Sequence, residues 1–81
     1  MDIRDTIDLM QSDDYKEHFK AEYWQTKIRY DKLHTMIVKY DAGVLEFEPT
    51  CPIHILKDQA KHMSMYLYIL EVRAQMENIK L

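Results

Sequence analysis

The chain carries a single glycine, two prolines and a single cysteine in 81 residues. So few breakers leave it almost free of turns. One cysteine cannot close an intramolecular bridge, and nothing else points to an oxidising compartment, so a reducing cytoplasm is the expected setting. A basic excess is also missing: 11 basic residues stand against 14 acidic ones, for a net charge of −3. General affinity for duplex nucleic acid, which cationic side chains supply, is thereby disfavoured. The opening MDIRDTIDLM is interrupted by charge every two or three residues and fits neither a secretory signal nor a transit peptide. No segment reaches 18 uninterrupted apolar residues, so no membrane span is expected. Catalytic motifs are lacking too: there is no Gly-x-Ser-x-Gly, no glycine-rich phosphate loop and no His-Glu-x-x-His. The reading is of a protein that is not an enzyme and uses no cofactor.

What is present is apolar surface. Hydrophobic residues make up 47% of the chain and charged residues 31%, too apolar a mixture for a disordered acidic tail. A domain of this size buries only about 60% of the surface its unfolded chain exposes, so one domain is the ceiling and its core is marginal. Residues 1–13 form an acidic lead in which Ile3, Ile7 and Met10 fall at helical spacing, enough for a short N-terminal helix. Asp14 and Glu17 have capping-box spacing and predict the start of a long helix over 14–42, with Gly43 where a left-handed terminator belongs. Its seam is Phe19, Tyr23, Thr26, Tyr30, Leu33, Ile37 and Tyr40, at steps of four and three. A loop over 43–52 follows, in which Thr50 can cap and Pro52 suits a first helical turn. The second long helix, 53–78, has the seam Leu56, Ala60, Met63, Leu67, Leu70 and Ala74. Two seams of matching period predict an all-α fold: an antiparallel two-helix hairpin with a short N-terminal helix.

The hairpin does not cover everything apolar. Met65, Tyr68 and Val72 face away from the second seam, and Trp24, Ile28 and Val38 lie off the first. Surplus apolar surface of this kind predicts a homo-oligomer; the competing arrangement is a three-helix monomer closed by residues 1–13. Charge is unevenly placed, at −4 over residues 1–14, +2 over 15–42, −2 over the loop and +1 over 53–81. The helices are therefore mildly basic and their ends acidic.

Two constellations carry possible chemistry. His54, Asp58 and His62 share one face of the second helix near Cys51, but two imidazoles and a carboxylate make an incomplete metal shell, and a solvated polar stripe is the simpler reading. No metal site is expected. In the first helix, Tyr23, Trp24, Lys27, Arg29 and Tyr30 interleave aromatic faces with cations, as a nucleotide requires: π-faces for bases and charge for phosphates. Tyr23 and Tyr30 also belong to the seam, so core packing competes for them.

Lys27-Ile-Arg-Tyr-Asp-Lys-Leu-His-Thr-Met-Ile37, Thr50-Cys-Pro52, and Gln59-Ala-Lys-His-Met63 leading into Tyr66-Leu-Tyr-Ile-Leu-Glu-Val-Arg-Ala74 carry a resemblance over roughly residues 15–76. The chain resembles the small bacteriophage helical-hairpin family that includes anti-CBASS and anti-Thoeris sponges. The resemblance implies a hexamer in the host cytoplasm that binds cyclic oligonucleotide or cyclic ADP-ribose-type immune signals without cleaving them, in pockets between subunits. It further implies that Lys27 takes phosphate and that Tyr15 is the aromatic ahead of it. Lys61 and Arg73 are the counterparts for a second pocket, though His62 and Val72 stand where threonines are expected. The alternative function is a helical interaction module that docks on a host or phage protein.

Overall fold

In the computed structural model, residues 2–11 and 13–81 are described; Met1 and Ser12, both in the expected lead, lie outside them. A single 3-10 turn, Ile3–Asp5, runs into α1 (Thr6–Gln11), followed by α2 (Tyr15–Asp41) and α3 (Ile53–Glu77). No strand occurs among the described residues. The two long helices end within a residue or so of the boundaries read from the sequence.

The caps explain where each helix begins and stops. Asp14 Oδ1 accepts from the Lys16 amide at 2.9 Å, so the second helical position takes the cap where the capping-box spacing had predicted the third. The reciprocal box is found at the 3-10 turn: Asp2 accepts from the Arg4 amide, and Asp5 accepts from the Asp2 amide. At the end of α2, Gly43 has φ +76°, its amide donates to Tyr40 and the Val44 amide donates to Lys39. These two bonds close the last turn and satisfy carbonyls the helix leaves open. Thr50 does not cap α3. The N-cap is Pro52, with no side-chain hydrogen bond, and its carbonyl accepts from Ile55 and Leu56. At the other end Asn78 adopts φ 56°, and the Ile79 amide donates to Ala74 at 2.8 Å.

That last turn has a packing consequence. The left-handed Asn78 folds the chain back and places Ile79 at 5% exposure in the core, beside Phe19, Tyr23, Leu67, Leu70 and Ala74. Polar contacts fix the direction of the two long helices. Tyr15, at the start of α2, meets Arg73 near the end of α3, while Asp41, ending α2, pairs with Lys57 near the start of α3 at 2.9 Å. The helices therefore run oppositely side by side. Both seams are used, but Tyr40, the last member of the first, is 41% exposed and borders a small surface hollow of about 310 Å³ with loop residues including Pro49 and Cys51. Cys51 is a free, half-buried thiol.

The lead does form a helix against α2, through Thr6 and Met10, which both contact Gln25, rather than through Ile3 and Ile7. Ile3, Ile7 and Met10 are 39%, 50% and 53% exposed, whereas Thr6 is fully buried. Hydrogen bonding decides this. Thr6 Oγ1 donates to the Ile3 carbonyl at 2.6 Å and accepts from Gln25 Nε2 at 3.0 Å, while Ala21, 1% exposed, allows the two helices to approach closely. A small residue satisfied on both sides fits there; an isoleucine would have left Gln25 without that oxygen.

Candidate functional site

Each of the seven expected site residues has a defined place. Tyr23 is in the core, 6% exposed, with its hydroxyl donating to Glu71 Oε2 at 2.8 Å. Burial, then the Glu71 carboxylate, push its pKa up to about 12. Its ring edge faces Trp24, with centroids 5.2 Å apart and planes at 89°. Trp24, expected off the seam, is half-buried against the same core. Core packing, the simpler of the two readings for this stretch, holds the Tyr23 ring, whereas Trp24 packs against the core and keeps part of its surface exposed.

Lys27 is held locally. Its Nζ lies 3.1 Å from Asp31 Oδ1, one turn on, and 5.9 Å from the centroid of Tyr30, which in turn stacks on His34 at 5.6 Å. Arg29 and Lys61 are exposed. In α3, His62 Nδ1 contacts the Asp58 carbonyl at 2.8 Å. Among the described residues, no group of three or more His, Cys, Asp or Glu converges to hold a metal ion.

Tyr15 and Arg73 form the most developed polar arrangement. The Arg73 guanidinium lies 5.0 Å above the Phe19 ring, donates from Nη2 to the Tyr15 hydroxyl and from Nε to Glu77 Oε2 at 3.1 Å. The Tyr15 ring is tilted 56° to Phe19 at 6.4 Å. Glu77, as acceptor for the Tyr15 hydroxyl, is the main cause of a raised Tyr15 pKa, only partly opposed by Arg73. Next along α3, Tyr66 donates to Glu22 at 3.0 Å; burial and then that carboxylate raise its pKa. The cluster is an exposed cation resting on the Phe19 ring and paired with the Glu77 carboxylate and the Tyr15 hydroxyl.

The resemblance implied two pockets, one containing Tyr15 and Lys27 and the other Lys61 and Arg73. Within one chain the grouping is different. Twelve residues separate Tyr15 from Lys27, about 18 Å along a helix, and the same spacing separates Lys61 from Arg73. Tyr15 instead meets Arg73. Glu77 and Phe19, which complete this cluster, carried no signal in the sequence beyond the i,i+4 spacing of Arg73 to Glu77 and the seam position of Phe19.

A family model, Sequestin, matches residues 13–76. The chain belongs to the Sequestin family. No curated protein and no solved structure matches it. The Sequestin match spans α2, the loop and nearly all of α3, and so includes Tyr15, Lys27, Lys61 and Arg73; α1, Glu77 and the core residue Ile79 lie outside it.

Proposed function

We propose that this Sequestin-family chain is a phage anti-defence protein that binds and sequesters a small anionic signal of the cyclic oligonucleotide or cyclic ADP-ribose type without cleaving it. The family name points to sequestration, and the observation that supports the ligand class is the Tyr15–Phe19–Arg73 cluster. There a guanidinium sits on an aromatic ring, where a phosphate would compete with its present partners Glu77 and the Tyr15 hydroxyl, and a second aromatic ring lies beside it. The chain works as a hairpin assembled into a homo-oligomer, with a hexamer implied by the resemblance, in the host cytoplasm. Because Tyr15 and Lys27 are about 18 Å apart on one helix, a compact ligand touches both only if two copies contribute. Sequestration needs affinity and abundance, not a nucleophile.

Calorimetric titration with a panel of cyclic di- and trinucleotides and cyclic ADP-ribose isomers tests this. At least one should bind and be recovered unchanged after heat denaturation of the protein. Arg73→Glu should weaken that binding more than tenfold, and Lys27→Glu should weaken it as well if the pocket is shared between copies. Absence of binding across the panel overturns the ligand class; recovery of a cleaved ligand overturns sequestration.

A further inference from the structure

The side of α3 turned away from α2 carries its own apolar stripe. Met65, Ile69, Val72 and Met76 follow at steps of four, three and four and are 55%, 54%, 39% and 78% exposed, with Tyr68 at 67% on one flank. At 100° per residue their mean direction is opposite that of the buried seam. Among the described elements, α3 touches α2 alone. The described elements that touch one another are α2 with α3, and α1 and the 3-10 turn with α2.

We infer that a second copy of this chain covers this stripe, α3 against α3 about a two-fold axis, which deepens the assembly reading above by naming the face. Three observations point to a copy of itself. First, the chain exposes 6026 Å², against about 5,200 Å² expected of a compact monomer of 9.8 kDa. The surplus is close to the roughly 800 Å² that each partner buries in an interface of standard size. Second, four large apolar side chains at heptad spacing form a coiled-coil seam, and helices with such seams pair with seams of the same kind. Third, the stripe is self-complementary. A two-fold axis at its midpoint, between Leu70 and Glu71, sets Met65 opposite Met76 of the second copy and Ile69 opposite Val72, so every apolar position meets an apolar position, as an isologous interface requires.

The flanks agree with that register. Tyr66 and Arg73 lie on one side of the stripe, and the same axis brings Tyr66 of one copy alongside Arg73 of the other. The Tyr15–Phe19–Arg73 cluster then gains an aromatic neighbour from the second copy, and the two clusters of a pair share one interface.

Sedimentation velocity on the full chain at 100 µM tests the face. The unaltered protein should sediment as a dimer or a multiple of one, and Ile69→Glu should reduce that mass at least twofold with its helical circular dichroism retained. Met76→Lys, at a side chain too exposed to support the monomer's fold, should do the same. A 9.8 kDa unaltered protein overturns both this inference and the assembly reading; full-size assemblies in both variants overturn the face alone and leave that reading standing. Register is read by cross-linking. With Cys51→Ser in the background, the pair Ile69→Cys and Val72→Cys should oxidise to a covalent dimer, and its failure to do so in a protein that still assembles overturns the two-fold pairing.

Discussion

On α3, Leu67, Leu70 and Ala74 are 4%, 2% and 2% exposed, whereas Met65, Ile69, Val72 and Met76, likewise at steps of three and four on the same helix, are 39–78% exposed. The first set packs on Phe19 and Tyr23 of α2 and on Ile79; the second is not part of that core and stays largely exposed. Periodicity therefore marks a face as built for packing without saying whether the partner lies in the same chain. The difference is one of supply. A single chain of this length offers α3 one long neighbour, and α1, too short to reach across, spends its contact on α2.

The comparison breaks most readily at the core. Leu70→Ala should cost about 2–5 kcal/mol by urea denaturation, the range for a large side chain removed from a packed interior. Met76→Ala, measured under conditions where the chain is monomeric, should stay within about 0.5 kcal/mol of the unaltered protein. Equal losses at the two positions would mean that the outer face is supported within the monomer after all.

A smaller effect, at the boundary of the buried face, should come from Tyr23. Tyr23→Phe keeps the ring and removes the hydrogen bond to Glu71, for an expected loss of about 1–2 kcal/mol at neutral pH. The pH dependence is more telling. Because the folded-state pKa, about 12, lies above the ordinary tyrosine value of 10.0, the neutral phenol stabilises the fold fully below pH 10. That contribution disappears as pH climbs from 10 through 12. Unfolding curves across this window should therefore fall more steeply for the unaltered protein than for Tyr23→Phe, with Tyr15 and Tyr66, also raised, titrating in both. Parallel curves would show that Tyr23 is no harder to ionise in the fold than out of it.

Much of the fold was legible because long helices announce themselves. Seams at steps of four and three, an aspartate before α2 and a glycine after it placed both helices, and the surplus apolar residues of α3 were visible as surplus. What was not legible depends on partners far away in the sequence. Thr6, not Ile3 or Ile7, docks α1, because its hydroxyl completes a bond with Gln25, nineteen residues on. Ile79 enters the core only because Asn78 turns left-handed, which an asparagine permits without demanding. The candidate site shows the same limit. Tyr15 and Arg73 were each recognised, yet assigned to different pockets, since 58 residues of chain separate two side chains that touch. Family resemblance pointed to residues; their grouping required the fold.

The charged contacts at the two ends of the helix pair sharpen the comparison at its lower limit. Arg73 combines an ion pair with Glu77, a ring contact with Phe19 and a bond to Tyr15, whereas Lys57 holds only Asp41, with both side chains about half exposed. An exposed ion pair pays side-chain entropy and is screened by salt, while a cation resting on a ring also covers apolar surface and loses less to screening. Arg73→Ala should therefore destabilise the chain by up to about 1 kcal/mol, with most of the loss persisting at 1 M salt. Lys57→Ala should cost about 0.5 kcal/mol or less and become indistinguishable from the unaltered protein at the same salt concentration. Denaturation of both variants at low and high salt checks the ordering. If Lys57 proved the costlier residue, or if the Arg73 effect vanished in salt, the guanidinium would be an ordinary surface charge, and the argument that its aromatic seat prepares it to receive an anion would lose its physical basis.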